Sequence, residues 1–576
     1  MPYRAPLTEF QFLLDHVIGM DDLRATPRFA EVTSDLVAAI LTEAARLTET
    51  TLAPLNRSGD LHPARLENGA VITSPGFAEG FRAIADGGWI GMTAAPDHGG
   101  MGLPLVLASA VNEMMGSACL ALQLNPLMTQ GQIEALEHHA SDEIRALYIP
   151  KLISGDWCGT MNLTEAQAGS DVGALRTRAE PNGDGTYAVT GQKIFITWAD
   201  SDFAANICHL VLARLPDGGE GTRGISLFMV PKFLPNPDGS PGVRNSLRVA
   251  RLEHKLGLHG SPTAEMLFER ATGWLVGEAH LGMAAMFTMM NNARLGVAIQ
   301  GIAVAEAACQ MALSWAMERR QGKTPQGDAP HGTGPQGLGA IIDHADVRRM
   351  LGQMRAETFA ARAIALTCAH AADMARATGS ADWHSRAALL TPIAKAYGTD
   401  TGLAVAQIGV QVHGGMGFFE ETGAAQLTRD VRVTSIYEGT NGIQAMDLVG
   451  RKLADQGAAA LRLVDEIQQG AELARKTLPD LAGEVWTAAE TLREATEALV
   501  ALPALDRNAG AVAYLRAFAL VLGGHLHLKA ARADPARLPL TRFFCRRLLP
   551  EHGALLAQAR EGAAGLYALT PEVLGA

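Results

Sequence analysis

Cysteine is scarce in this chain of 576 residues: six copies, at Cys119, Cys158, Cys208, Cys309, Cys368 and Cys545, stand singly with no CxxC. That excludes a disulfide framework and a cysteine-based zinc site, and no metal is expected. Positive charge is in deficit as well. Lys and Arg number 48 against 60 Asp and Glu, a formal net charge of −12, whereas a general nucleic-acid or anionic-membrane binder would be basic. Charged residues are 19% and hydrophobic ones 48%, enough for a sizeable core and against global disorder. An apolar secretion signal is missing, because Glu9 and Asp15 interrupt the opening residues. The expected location is cytoplasmic. The longest uncharged stretch, 114–133, holds Ser117, Gln123, Asn125, Pro126, Gln130 and Gln132, too polar for a membrane helix. It reads as a buried helix interrupted at Asn125–Pro126.

What is present falls into four parts by texture. Residues 1–155 show apolar residues at helical spacing, punctuated by Gly/Pro loops, and read as an α-helical domain. Residues 156–273 carry short β-branched runs between Gly, Pro and Asp clusters, including 207–212 and 225–230, and read as an antiparallel β-barrel or sandwich. Within it, Gly191–Gln192 reads as a turn between two strands. Long helical patterns return over 274–455, as a bundle, and continue through 456–576 as an additional helical extension. Helices around an interposed β-domain speak against βαβ units and a Rossmann-type site. The segment 321–339 holds nine Gly or Pro in nineteen residues and reads as a long surface loop. Its match to GxGxxG at 332–337 follows no strand and contains Pro335, and 322–324 resembles only the tail of a P-loop; both are rejected as nucleotide sites.

Four stretches carry chemistry. The first, 161–171, runs Met161, Leu163, Thr164, then Gly169, Ser170 and Asp171: two hydroxyls, free N–H groups and a glycine permitting close approach, suited to a flat heterocycle or a phosphate. In the second, 191–198, strand alternation puts Phe195 and Thr197 on one face, flanking Ile196, an aromatic surface beside a hydroxyl. The third, 429–444, sets Tyr437, Glu438, Gly439 and Thr440 on a loop among apolar neighbours, where burial would raise a carboxylate above its usual value of about 4.3. The fourth, 411–418, contains Gln411, His413, Gly414, Gly415 and Gly417, a tight exposed backbone able to approach an anion or an adenine. Taken one at a time, each also has a plain structural explanation: an ST turn, an ordinary strand, a helix N-cap and a connecting turn.

In this order and spacing, Thr-Glu-x-x-Ala-Gly-Ser-Asp, Gly-x-Lys-x-x-Ile-Thr, Gly-Gly-x-Gly and Ile-Tyr-Glu-Gly-Thr resemble the acyl-CoA dehydrogenase family over about residues 35–455. The resemblance implies an N-terminal α-bundle, a middle β-domain, a C-terminal four-helix bundle, FAD as cofactor and an acyl-CoA substrate. Glu438 corresponds to the base that removes the C2 proton while the C3 hydride passes to flavin N5. Met161, Leu163, Thr164, Gly169, Ser170, Phe195, Ile196, Thr197 and Thr440 correspond to flavin contacts. Arg319 corresponds to the arginine that reaches the FAD pyrophosphate of a neighbouring subunit, with Gln411, Gly414 and Gly415 at its adenine end. Ser170, Asn291, Arg294, Tyr437 and Gly439 align with substrate contacts, although the family often has Asp where Asn291 stands. His344–Ala345 replaces the usual His-Gln pair, and Gly442 replaces a frequent Gln, so contacts to the adenine half of FAD are expected to differ.

The N-terminal opening, the segment 253–263 and the extra helices are similar to the 3-methylmercaptopropionyl-CoA dehydrogenase type of bacterial dimethylsulfoniopropionate breakdown. Medium- or long-chain fatty acyl-CoA dehydrogenase and acyl-CoA oxidase stay open as alternatives, and electron-transfer flavoprotein is the implied acceptor. Another branch of the family binds nucleic acid. Here residues 529–547 carry Lys529, Arg532, Arg537, Arg542, Arg546 and Arg547 against Asp534, which read first as a solvated face or subunit contact, and no nucleic acid is expected. Leu461, Val464 and Ile467, and Leu515, Phe518, Leu520 and Leu522, form apolar stripes in the extension. They must be buried. Packing on its own chain would cover the face that otherwise recruits a second dimer, so a homodimer is expected, with membrane attachment the weaker use.

Overall fold

The computed structural model describes residues 3–323 and 338–576; the rejected GxGxxG at 332–337 and most of the loop around it lie outside the described residues. The chain runs helices, barrel, helices. In the N-terminal part the long helix α1 (Leu105–His139) is buried along most of its length. The interruption expected at Asn125–Pro126 lies instead at Cys119, whose backbone is non-helical at φ −157° and ψ 89°. Pro126 sits inside the second segment, and the Trp198 indole N–H donates to the Ala121 carbonyl at 3.1 Å just past the break. A helix can carry one missing N–H; it cannot carry an extended residue without a turn in direction. This part is also not purely helical. Arg65–Glu67 and Ala70–Ile72 form an antiparallel hairpin across Asn68 and Gly69, both at left-handed φ, the Asn-Gly turn that matches strand twist.

The main sheet of the middle part has seven strands: β1 (Trp157–Asn162), β2 (Arg178–Pro181), β3 (Tyr187–Thr197), β4 (Asn206–Arg214), β5 (Ile225–Pro231), β6 (Leu247–Leu252) and β7 (Thr263–Val276). The order β7-β3-β2-β4-β5 closes because β5 pairs with both β4 and β7, giving a barrel with β6 and β1 at its flanks. It is not wholly antiparallel: β1 and β2 each run parallel to β4. Nor is Gly191–Gln192 a turn. Both lie inside the continuous eleven-residue β3, where a Cβ on Gly191 would stand 2.3 Å from the Thr177 hydroxyl. The glycine marks a close approach within a strand, not a reversal.

Beyond the barrel stand α2 (Gly282–Glu318), α3 (Ala345–Thr378) and α4 (Ala381–His413). At the crossing of α2 and α4, a Cβ on Gly301 would meet the Gly398 carbonyl at 2.4 Å, and one on Gly402 the Gly301 carbonyl at 2.5 Å. The backbones therefore touch, which fixes residues 294–300 against 395–399. The short α5 (Asn441–Asp447) follows, and the extension is organised around α6 (Ala504–Ala533).

The apolar faces of the extension are covered by its own chain. Leu515, Phe518, Leu520 and Leu522 are buried, as are Val464 and Ile467, although Leu461 is only half-buried and Leu463 takes its place in the stripe. His527 donates its Nε2–H to the Ala356 carbonyl of α3 (3.1 Å) and packs between Phe359 and Phe544. Arg537 forms a bidentate pair with Glu9 at 3.0 and 2.8 Å, tying the extension to the N-terminal helical turn Leu7–Phe12. The segment 253–263 is a clamp between parts: the Leu258 N–H donates to Asp430 (2.6 Å), His259 faces Asp60 (2.9 Å), and Asp60 holds Arg429 at 2.7 and 2.8 Å. Among the described residues α1, α2 and α6 are long and apolar enough to cross a membrane, but their apolar windows are 94%, 83% and 78% buried inside the fold.

Candidate active site

A cleft of about 520 Å³ opens between the barrel and the C-terminal helices. One wall comes from the end of β1 and the bulged end of β3: Met161, Leu163, Thr164, Gly169, Ser170, Phe195, Ile196 and Thr197. The other comes from α2 and the loop before α5: Met283, Phe287, Met290, Arg294, Tyr437, Glu438, Gly439 and Thr440. Four separate sequence stretches thus meet at one place.

The barrel wall is built by a staple. Glu165 is buried and accepts from the Lys193 ammonium (2.8 Å), the Thr177 hydroxyl (2.6 Å) and the Arg176 and Thr177 N–H groups (2.7 and 3.1 Å). Lys193 also donates to the Leu163 carbonyl at 2.9 Å, and the Ile194 N–H to that of Thr164 at 2.9 Å. The neighbouring ammonium and the donors hold the Glu165 carboxyl down at about 2 despite its burial, and burial lowers Lys193 to about 8. A register shift against β7 leaves two residues, Ile194 and Phe195, opposite one. Phe195 takes φ 61° there and is 60% exposed. Simple alternation is therefore not what turns it; the bulge aims the ring into the cleft. Ile196 points to the core, leaving only its backbone for a ligand. Among the described residues no hydrogen bond engages the hydroxyls of Thr164, Ser170 or Thr197, and nothing lies within 4 Å of a Cβ placed on Gly169. An exposed aromatic face, unspent hydroxyls and open backbone fit a planar, phosphate-bearing cofactor such as FAD.

Opposite, Glu438 sits at φ 55° with Gly439 at φ 84°, a strained loop preceding α5. Thr440 caps that helix, its hydroxyl accepting from the Ile443 N–H at 3.2 Å. The N-cap explanation holds for this loop, and the same cap fixes the turn that presents Glu438 to the cleft. The carboxylate has no hydrogen-bond or ion-pair partner among the described residues, and neither does the Glu438 N–H. Burial pushes its pKa up to about 7, opposed by the positive charges of Arg294 and Lys395. Tyr437 donates its hydroxyl to Gln300.

Arg294 is buried, 3.7 Å from Asp447 and beside Glu438, so it backs the loop as well as lining the cleft. The side chain of Asn291 lies outside the described set. Arg319, Gln411, Gly414 and Gly415 are not brought to the cleft. The Arg319 guanidinium donates to Gln321 (3.3 Å), and Gln411, Gly414 and Gly415 are exposed. His344 is spent on the Gln321 carbonyl at 2.9 Å. Sequence reasoning missed the Glu165–Lys193 staple, although both residues lie inside the quoted motifs. It also missed Lys395, fully buried on α4 behind Glu438, and Arg214, which ties the cleft rim by donating to the Leu175, Gly219 and Gly221 carbonyls at 3.0, 2.7 and 3.0 Å.

Family models described as the N-terminal, middle and C-terminal domains of acyl-CoA dehydrogenase match residues 38–156, 160–271 and 280–453, and one described as acetyl-CoA dehydrogenase C-terminal like matches 463–570. The chain is 43% identical over 549 residues to 3-methylmercaptopropionyl-CoA dehydrogenase of Ruegeria pomeroyi, covering 93% of this chain and 92% of the relative. Among solved structures it is similar to Caenorhabditis elegans ACDH-11 in complex with C11-CoA, with a TM-score of 0.77 at 21% identity over 93% of this chain and 91% of that one. It also matches a Bacillus anthracis acyl-CoA dehydrogenase complexed with FAD, with a TM-score of 0.72 at 21% identity over 95% and 91%. At that identity the two structures speak to the fold, which they share through the C-terminal extension. The near full-length relative and the consecutive domain matches, falling on the elements that build the cleft, show that the chain belongs to the acyl-CoA dehydrogenase family.

Proposed function

We propose that the chain oxidises an acyl-CoA thioester to the trans-2-enoyl-CoA with FAD, and that Glu438 is the base that takes the C2 proton. The observation that carries this reading is an unbonded, burial-raised carboxylate on a strained loop, facing an exposed aromatic wall across a cleft. When bound, FAD supplies the acceptor for the C3 hydride. The residues of the chain do the rest. Phe195 offers its face to the ring system, and Thr164, Thr197 and Ser170 offer hydroxyls to its polar edge and pyrophosphate. The Glu438 N–H is free to donate to the thioester oxygen, where negative charge develops as the proton leaves. A carboxylate with a pKa near 7 is a stronger base than an ordinary one and is still about half ionised at neutral pH. Glu438→Gln keeps shape and removes the base, so FAD and acyl-CoA should bind while flavin reduction falls by orders of magnitude. Near-normal reduction would refute the assignment.

The relative from Ruegeria pomeroyi supports 3-methylmercaptopropionyl-CoA as substrate and a place in dimethylsulfoniopropionate catabolism. The cleft must seat both a flavin ring and the acyl end within about 520 Å³, which favours a short chain over a long one. A screen of acyl-CoA chain lengths that includes 3-methylthiopropanoyl-CoA, with an artificial acceptor, tests it. Electron-transfer flavoprotein is the proposed acceptor, and reoxidation by it should outpace reoxidation by air. A homodimer is proposed because the outward-facing Arg319, Gln411, Gly414 and Gly415 lie beside exposed Met416, Phe418 and Phe419, a surface suited to completing a partner's cofactor site. Six buried thiols support a reducing, cytoplasmic setting. The nucleic-acid reading is not favoured, because Arg537 is paired with Glu9 and Arg546 lies beside Asp480 and Glu484.

A further inference from the structure

Lys395 is fully buried in the middle of α4, yet no carboxylate stands within ion-pair distance of it among the described residues. Its ammonium donates to Asn441 Oδ1 at 3.0 Å. Asn441 is three residues past Glu438, at the first position of α5, and its amide is otherwise engaged with residues next to Lys395. It donates to Asp400 at 2.7 Å and to the Thr399 hydroxyl at 3.0 Å. The turn that presents Glu438 is thus bolted to α4 through one amide, and an ammonium with three donors spends one of them there. A buried charge of this kind persists only against opposite charge. The anions that face Lys395 are Glu438 and Asp400, with Arg294 from α2 as the neighbouring cation. Asp400 in turn faces Arg432 and Arg516 as well as Lys395, and Arg294 faces Asp447, Arg451 and Glu438. Of the carboxylates among these groups, that of Glu438 is the one left without a hydrogen bond, so it is where the field of Lys395 has most effect.

We propose that Lys395 is a positioning residue for Glu438: anchored on Asn441, its buried ammonium fixes the loop and supplies the positive charge against which the base ionises. This rests on Glu438 being the base. Lys395→Gln removes the charge and keeps a donor for Asn441; Lys395→Met removes the charge and asks nothing of Asn441. In either, the midpoint of the pH profile for flavin reduction should move up by about one unit or more, so that the rate at neutral pH falls about fivefold or more and recovers in alkali. The infrared band of the protonated carboxyl that disappears in Glu438→Gln should persist to correspondingly higher pH in the substrate-free protein, a readout independent of turnover. Lys395→Arg should restore the profile. A loss of rate that is equal at all pH values, with the carboxyl band unmoved, would show a merely structural role and overturn the proposal. Glu438→Gln run alongside separates the two readings: if it abolishes reduction while the lysine variants leave the midpoint unshifted, only the role of Lys395 falls. If it reduces flavin normally, both fall.

Discussion

The rate of flavin reduction should depend on pH in a way that ordinary carboxylates do not. Glu438 ordinarily would ionise near 4.5; burial in the cleft wall moves it to about 7 against the pull of Arg294 and Lys395. Only the ionised form accepts a proton, so activity is present above the folded value and lost below it. One unit below a midpoint near 7, about a tenth of the carboxylates are ionised, and one unit above it about nine-tenths, a roughly tenfold change between pH 6 and 8. An unshifted carboxylate would change by only a few per cent over that window. The assay is anaerobic stopped-flow reduction at subsaturating acyl-CoA, which reports the free enzyme. A flat profile from pH 5.5 to 8 would refute the claim that burial outweighs the two cations. Stability moves the other way. A carboxyl whose folded pKa lies above its unfolded one binds more protons when folded, so its contribution is most favourable below about 4.5 and declines as pH rises to about 7. The pH range in which the base works is the range in which it costs the fold most.

Two further outcomes test the opposite wall. Glu165→Gln leaves the fully buried Lys193 ammonium without its counter-charge and should cost about 3–5 kcal/mol, read as early unfolding of the barrel and loss of bound FAD; Glu165→Gln with Lys193→Met should recover much of it, and a single variant as stable as the parent would show that the pair does not hold the wall. Phe195→Ala removes a side chain that is 60% exposed, so unfolding of the FAD-free protein should change little, while FAD affinity falls about threefold to tenfold, the worth of one aromatic contact; Phe195→Trp should retain it.

The architecture was legible because it is written in periodicity. The switch from helical spacing to short β-branched runs and back is visible along the chain, and three of the four motifs whose chemistry can be named beforehand meet at the cleft, while 411–418 does not. What was misread shows where local signals are ambiguous. Gly191 looks like a turn and is a strand residue under Thr177, because a glycine marks either a reversal or a close approach and only the neighbour decides which. Pro126 looks like the break in α1 when Cys119 is. Asn68–Gly69 is a strong hairpin signal that the surrounding helical texture masked. The barrel's two parallel pairings are beyond reach of strand patterns, which do not encode direction. Lys395 was invisible for a different reason. A lysine on a helix reads as solvated, and its burial depends on α2 and α4 touching at Gly301, Gly398 and Gly402, about a hundred residues apart in sequence.

That glycine contact links the packing to the chemistry. Where two helices meet through side chains their axes lie about 8–10 Å apart; where glycine backbones touch, the flanking residues are pressed closer. Arg294 and Gln300 on α2 and Lys395 and Thr399 on α4 flank the touching glycines, and all four border the loop from Tyr437 to Asn441. The fold therefore surrounds Glu438 with two cations and no direct hydrogen bond. Had either cation formed an ion pair with it, the carboxylate would have been held well below its usual range, as Lys193 holds Glu165 at about 2, and it would be a poor base. Had there been no cation, burial would have pushed it further toward the protonated form, which is no base for a carbon acid. Positive charge that is near but not bonded is the arrangement that leaves a buried carboxylate near 7. It requires rigid helices to keep the ammonium and guanidinium from closing the gap. Asn441 occupies the lysine and Asp447 faces the arginine. The hydrogen bonds withheld from Glu438 are the ones that keep its neighbours in place.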